Sequence, residues 1–348
     1  MNRRLKPFLS PLAISMGDPA GIGPDIILAA WRARKTRALP SFVVYGDPEV
    51  LMSRARALGL AVDIAGIETP AAAAAHPDAL PVIATAPAGT VTPGRPSVVN
   101  AAATIAAIDQ ATAAVMASQA SALVTAPINK AVLYGGGFRY PGHTEYLAHL
   151  ADKAGAGGPL RPVMMLACDE LKVVPVTIHI ALSDVPATLT PALLEATIEI
   201  THAALQSDFG IPDPRIAVAG LNPHAGESGT IGTEDRDLIA PVIAHFAGRG
   251  FRITGPHPAD TMFHAKAREG YDAVIAMYHD QALIPIKTLA FERGVNVTLG
   301  LPFVRTSPDH GTAYDIAGTG AANAESMIAA ILMASRIVLS RAQALSGG

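Results

Sequence analysis

Residues 12–24 read Leu12-Ala13-Ile14-Ser15-Met16-Gly17-Asp18-Pro19-Ala20-Gly21-Ile22-Gly23-Pro24, and this stretch decides the fold class. Its first five residues are uncharged, mostly apolar and of strand length. The glycines and prolines that follow end the strand. A helical pattern then opens at Gly23 and runs to Arg34, with proline at its second position. Strand, turn and helix in that order begin an α/β unit. The turn has two readings. It is a tight bend that uses glycine's backbone freedom, or a ligand-facing loop at the carboxyl end of a strand. It is neither a dinucleotide fingerprint nor a Walker A loop. The glycine spacing is wrong for the first, and no Gly-Lys-Ser/Thr follows for the second. Gly318-Thr319-Gly320 is open to the same two readings.

The alternation continues along the chain. Strands are expected at 12–16, 42–45, 122–125, 172–177, 215–219 and 273–276, each apolar on both faces and bounded by Gly, Pro or Asp. That is how strands buried in a mostly parallel sheet look. Helices are expected at 23–34, 48–58, 98–118, 144–154, 191–209, 234–249 and 324–339. Asp47-Pro48 and Thr190-Pro191 fit an N-cap followed by proline. The Ala-rich run 69–76 is expected at the surface, and the Pro- and Gly-rich run 85–97 as an irregular connection. No repeat of fixed period occurs.

Composition narrows the function. The chain has 348 residues, 50% hydrophobic and 16% charged, which excludes intrinsic disorder. Lys and Arg number 26 against 29 Asp and Glu, a net charge of −3. No basic surplus exists to hold a phosphodiester backbone, so no nucleic-acid partner is expected. The single cysteine, Cys168, excludes an internal disulfide and a Cys-based zinc ribbon. Pro7 and Pro11 interrupt the basic N-terminus, and the uncharged span 110–129 lacks the Leu, Ile and Phe density of a membrane helix. A cytoplasmic protein without a membrane partner is expected.

Three of the eleven histidines share a setting. His179, His224 and His279 each stand at or just past the end of an expected strand. In an open α/β sheet those ends converge on a ligand crevice. Three histidines there match a metal site with open positions, whereas any one of them alone reads more readily as structural. His76, His149, His202 and His245 lack such company and read as surface or satisfied side chains. Asp260 and Asp280 are placed to orient a histidine or to transfer a proton. Asp309 stands in a similarly polar run. Lys287 and Arg305 lie in apolar stretches, where a cation needs an anionic partner, either an internal carboxylate or a substrate group. His143-Thr144 either opens a helix that receives an anion or marks an ordinary N-cap threonine with Glu145 in the first turn.

Seven segments, Gly17–Pro24 (GDPAGIGP), Thr125–Lys130 (TAPINK), Pro141–Glu145 (PGHTE), Gly220–Glu227 (GLNPHAGE), Pro258–Thr261 (PADT), Met277–Gln281 (MYHDQ) and Gly294–His310, resemble the PdxA family, the 4-hydroxythreonine-4-phosphate dehydrogenases of pyridoxal 5′-phosphate synthesis. The resemblance runs from about residue 12 to about 335. It implies an isocitrate/isopropylmalate dehydrogenase-like fold of two α/β/α lobes with the active site in the cleft between them. The first lobe would be 1–130 plus 300–348, and the second 131–299, carrying the metal site and the dimer interface. It also implies a homodimer with active sites shared between subunits, NAD or NADP, and a divalent metal such as zinc, magnesium or cobalt. The family's metal ligands fall on His179, His224 and His279. Its substrate contacts fall on His143, Thr144, Lys287, Asn296 and Arg305, with Lys287 or Asp260 to move protons. No cofactor-binding residue is assigned. Asn129 is a departure, at a position where many members carry histidine or another residue.

The implied reaction is oxidation at C3 of 4-phosphohydroxy-L-threonine, then decarboxylation to 3-amino-2-oxopropyl phosphate. One rival keeps the chemistry and takes D-threonate or D-erythronate 4-phosphate. Two others are a metal-dependent hydrolase or aldolase without nucleotide, motivated by the missing fingerprint, and a non-catalytic phosphometabolite-binding protein.

Overall fold

The computed structural model describes residues 10–155 and 160–346. Twelve strands follow in chain order among them: β1 (Leu12–Ser15), β2 (Phe42–Gly46), β3 (Ile64–Gly66), β4 (Leu80–Ala84), β5 (Leu123–Thr125), β6 (Val163–Ala167), β7 (Lys172–Pro175), β8 (Arg215–Ala219), β9 (Arg252–His257), β10 (Ala273–Ala276), β11 (Val295–Leu299) and β12 (Arg305–Pro308). The fold is α/β, as the sequence predicts. The chain forms two compact units, 1–160 with 301–338 and 161–300 with 339–348.

The first unit orders its strands β3-β4-β2-β1-β5-β12, and every pair is parallel. β1 is paired along both edges and its four residues are all buried, so Leu12–Ser15 needs no alternation of polar and apolar residues. Gly17 has φ +76°, and a Cβ there would meet the Pro127 carbonyl oxygen at 2.4 Å. At Gly23 a Cβ would meet the Met16 carbonyl oxygen at the same distance. The turn is therefore tight for steric reasons. Asp18 accepts from the Ala20 N–H and the Tyr314 hydroxyl. The Ile22 N–H donates to the Thr312 carbonyl, closing a loop-to-loop clasp. Beneath it Arg54 and Asp25 form a buried ion pair. Arg54 also donates to the Pro19 and Gly21 carbonyls, and Asp25 accepts from the Gly318 N–H.

The second unit orders its strands β11-β6-β7-β10-β8-β9. β7, β10, β8 and β9 pair in parallel, while β6 is antiparallel to both β7 and β11. Leu166, Val173, Ala217, Val274 and Ile286 form its core. Residues 131–155 pack in the first unit, not the second. Phe138, Tyr146 and Leu147 join Ile108, Ala111 and Leu123 in one core, and the Tyr146 hydroxyl donates to Asp109 on helix Ala101–Met116. The boundary expected near 130 lies about thirty residues further on, because the aromatic side chains after the TAPINK motif bury themselves against that helix.

Expected caps are present: Asp47 accepts from the Glu49 N–H and Thr190 from the Leu193 N–H. Asn129, the departure from the family pattern, caps helix Lys130–Gly135 through the Val132 N–H. Two helices, Val98–Met116 and Glu325–Ala344, are long and apolar enough to cross a membrane by length and composition alone. Their apolar faces are packed: Ala107, Ile108 and Val115 from one, Met327, Ile331 and Ile337 from the other, are buried.

Candidate active site

The carboxyl ends of β7 and β10 bring His179 and His279 together. Their ring centroids lie 5.7 Å apart with planes inclined at 43°. The Thr177 hydroxyl donates to the Met277 carbonyl at 2.8 Å, and the Val176 N–H donates to the Ala276 carbonyl, so the two chain segments are laced just before each histidine. His279 opens helix His279–Ala290, and its Nδ1 lies 2.8 Å from Asp280 Oδ1. A cavity of about 330 Å³ is lined by Thr177, His179, Ile180, Leu182, His279 and Asp280 among others. Lys287 stands two turns along the same helix and borders a second cavity with His279 and Asp280.

His179 has φ +53°, a left-handed conformation unusual for a residue with a side chain. His224 has the same φ and begins five consecutive left-handed residues, 224–228. Such backbone persists only where surrounding contacts over-determine it, and it concentrates at functional sites. His149 and His202, by contrast, stack on Tyr140 and Phe251, as expected of satisfied side chains. Two imidazoles sharing one divalent ion at metal–nitrogen distances of about 2.0–2.1 Å place their centroids roughly 5–6 Å apart. The His179–His279 pair fits that spacing, and the imidazole donors suit zinc or cobalt. Among the described residues no three His, Cys, Asp or Glu side chains come close enough to hold an ion. His224 is thus not brought to the pair within one chain. Asp260 is exposed on the turn Ala259–Thr261 and borders neither cavity around His279. The Asn296 Oδ1, on β11, is buried without a partner.

A cationic cluster stands in the first unit. Arg305 on β12 is 3% exposed and donates to the Thr125 hydroxyl at 2.6 Å. Burial pushes its guanidinium down to about 10, opposed by the charge of Glu145, so it stays charged at neutral pH. His143 opens helix His143–Lys153, with Gly142 as the N-cap. Thr144 therefore lies in the first turn and is not the cap. Burial, then the charges of Arg305 and Lys130, hold His143 well below the usual imidazole range. Its Nε2 is buried without a hydrogen-bond partner. Lys130 reaches to the backbone of Gly142 at the helix start. Two cations, a neutral imidazole and the N–H groups of a helix start make a ready receptor for an anionic group.

Sequence reasoning quoted Lys130 and Gln281 only as parts of motifs and passed over Thr177 and Asp235. Lys130 had a signal, since a lysine that opens a short helical run is a candidate anion contact. Asp235 had none, because its partners lie thirteen and fourteen residues upstream.

The family described as pyridoxal phosphate biosynthetic protein PdxA matches residues 38–334. The 4-hydroxythreonine-4-phosphate dehydrogenase of Roseobacter denitrificans is 57% identical over 335 residues, covering 96% of this chain and 98% of that protein. The enzyme of the same name from Methylorubrum extorquens is 55% identical over 330 residues, 94% of each chain. The crystal structure of the Klebsiella pneumoniae 4-hydroxythreonine-4-phosphate dehydrogenase superposes with a TM-score of 0.84 at 39% identity, covering 96% of this chain and 99% of that one. With the family matched over most of its length, the chain belongs to the PdxA family.

Proposed function

We propose that the chain is an NAD- or NADP-dependent dehydrogenase that oxidises 4-phosphohydroxy-L-threonine at C3 and releases its carboxylate as CO2, giving 3-amino-2-oxopropyl phosphate. Relatives covering nearly the whole chain bear that enzyme's name. The reading rests on the His179–His279 pair at neighbouring strand ends, with Asp280 and Lys287 on the helix that His279 opens.

His179, His279 and His224 would hold the divalent cation, which supplies Lewis-acid polarisation of the C3 hydroxyl. Asp280 accepts from Nδ1 of His279 and so fixes Nε2 as the nitrogen with a lone pair. Lys287, as the free amine, would take the C3 hydroxyl proton, and a bound nicotinamide would supply the hydride acceptor that oxidation of the alcohol to a ketone requires. The carboxylate, now β to that ketone, leaves as CO2, and a proton returned to C2 completes the product. Arg305, Lys130 and the helix start at His143-Thr144 bind an anionic end of the substrate. The unpartnered Asn296 oxygen accepts a hydrogen bond from the substrate's C2 amine. Asp260 is the less suitable proton carrier, being exposed and away from both cavities. The chain works as a cytoplasmic homodimer. Exposed Ile180, Leu182 and Ile284 around the histidine cavities support a second copy there, and a histidine from that copy would complete the ligand set.

The test follows nicotinamide absorbance with 4-phosphohydroxy-L-threonine, D-threonate 4-phosphate and D-erythronate 4-phosphate side by side. Turnover at least tenfold higher in kcat/KM with the amino acid is expected. Preference for a sugar acid would move the enzyme out of pyridoxal phosphate synthesis, and silence with all three would overturn the dehydrogenase reading.

A further inference from the structure

Residues 224–228 form a short left-handed turn, with φ between 41° and 74° at all five positions. Only Gly226 among them is a glycine. An L-residue in this conformation costs roughly 1–2 kcal/mol, so four of them in a row with one glycine need an external restraint. The structure contains one. Asp235 is 1% exposed. Its Oδ1 accepts from the Leu221 N–H at 2.7 Å, and its Oδ2 accepts from the Asn222 N–H at 3.1 Å and from Asn222 Nδ2 at 2.8 Å. Both oxygens are thus filled by the two residues that lead into the turn. Asp235 also begins a π-helical turn, Asp235–Ile239, in which the Ala240 N–H donates to the Asp235 carbonyl. Such insertions recur at functional sites.

A second strut runs from the other side. Gln281, 9% exposed, donates through Nε2 to the Gly220 carbonyl at 2.7 Å and accepts through Oε1 from the Met277 N–H at 2.6 Å. It ties the segment before His224 to the segment before His279. With Thr177 bonded to Met277, all three histidine-bearing loops share one hydrogen-bonded frame.

We propose that Asp235 is a positioning residue: its carboxylate, clamped on Leu221 and Asn222, holds the left-handed turn that presents His224 to the metal. This rests on the reading of His224 as a ligand. It goes beyond that reading in assigning the cause of the turn to a carboxylate that touches neither metal nor substrate.

The test measures Co2+ affinity by competition with a chromophoric chelator, the visible absorption of bound Co2+, NAD affinity, and the melting temperature of the intact protein. The variants are Asp235→Asn, Asn222→Ala and His224→Ala. Asp235→Asn is expected to weaken Co2+ binding by about 10–100-fold and to change the visible spectrum, with NAD affinity unaltered. Asn222→Ala, which removes one of the three donors to Asp235 together with the Asn222–Glu234 hydrogen bond, is expected to weaken Co2+ about threefold to tenfold, and it decides the matter if Asp235→Asn does not fold. Wild-type Co2+ affinity and spectrum in both clamp variants, with affinity lost in His224→Ala, would overturn the role of Asp235 and leave the ligand reading intact. Wild-type affinity in His224→Ala would overturn both.

Discussion

His143 and Arg305 show how one residue's surroundings set its job. His143 lies among positive charges with its Nε2 out of contact with water, so it is neutral in the folded protein well below pH 6.5. The unfolded chain takes up a proton near pH 6.5, and the folded chain resists it. More protons are then bound in the unfolded state, so stability is full above pH 6.5 and falls as pH drops below it. His143→Gln should flatten the fall in melting temperature between pH 6.5 and 5 relative to wild type. An unchanged slope would show that the imidazole is not held neutral. Arg305→Ala should raise KM for the phosphorylated substrate at least tenfold while the KM for the nucleotide changes less than threefold, measured by steady-state kinetics. Arg305 was legible as a cation in an apolar stretch, but its partner was not. Thr125 lies 180 residues away in the chain, and only the pairing of β12 with β5 brings them together.

At the scale of elements, the strands read from the sequence were those buried on both faces, such as β1, β8 and β10, because continuous apolar runs have few other interpretations. β3 and β9 escaped because exposed residues dilute them, β4 and β12 because each holds a proline, β11 because Asn296 and Thr298 interrupt its apolar run, and β6 because Met, Leu and Ala suit a helix as well. The helix His279–Ala290 escaped because Pro285 lies inside it. Its first turn carries His279 and Asp280, and its third carries Lys287. Seen as a helix, these residues share one element; seen as a loop, they were three separate candidates. The left-handed turn 224–228 was unreadable, since four of its residues are types that rarely adopt that backbone. Ala225→Gly should leave the melting temperature unchanged or raise it, because glycine relieves the left-handed strain. The same exchange at exposed Ala113, inside helix Ala101–Met116, should cost about 1 kcal/mol. A larger loss at 225 than at 113, by thermal or denaturant unfolding, would contradict the strained turn.

Over the whole molecule, the glycine loop that opens the first unit is fastened by a buried charge pair. Arg54→Ala strands Asp25 in an apolar setting and frees the Pro19 and Gly21 carbonyls. The expected cost is about 3–5 kcal/mol by denaturant unfolding. In the second unit, exposed Leu182 and Ile284 should matter little to a monomer's stability and much to assembly. Leu182→Asp should shift the protein toward monomer by light scattering and weaken metal binding in step with that shift. Dehydrogenation should depend on a metal held by the histidines. The most direct measurement strips the enzyme with a chelator, adds Co2+ or Zn2+ back, and follows nicotinamide reduction with 4-phosphohydroxy-L-threonine, in wild type and in His179→Ala. Activity should be lost on chelation, return with metal in wild type, and stay lost in His179→Ala. Full activity in the stripped wild-type enzyme would contradict that dependence.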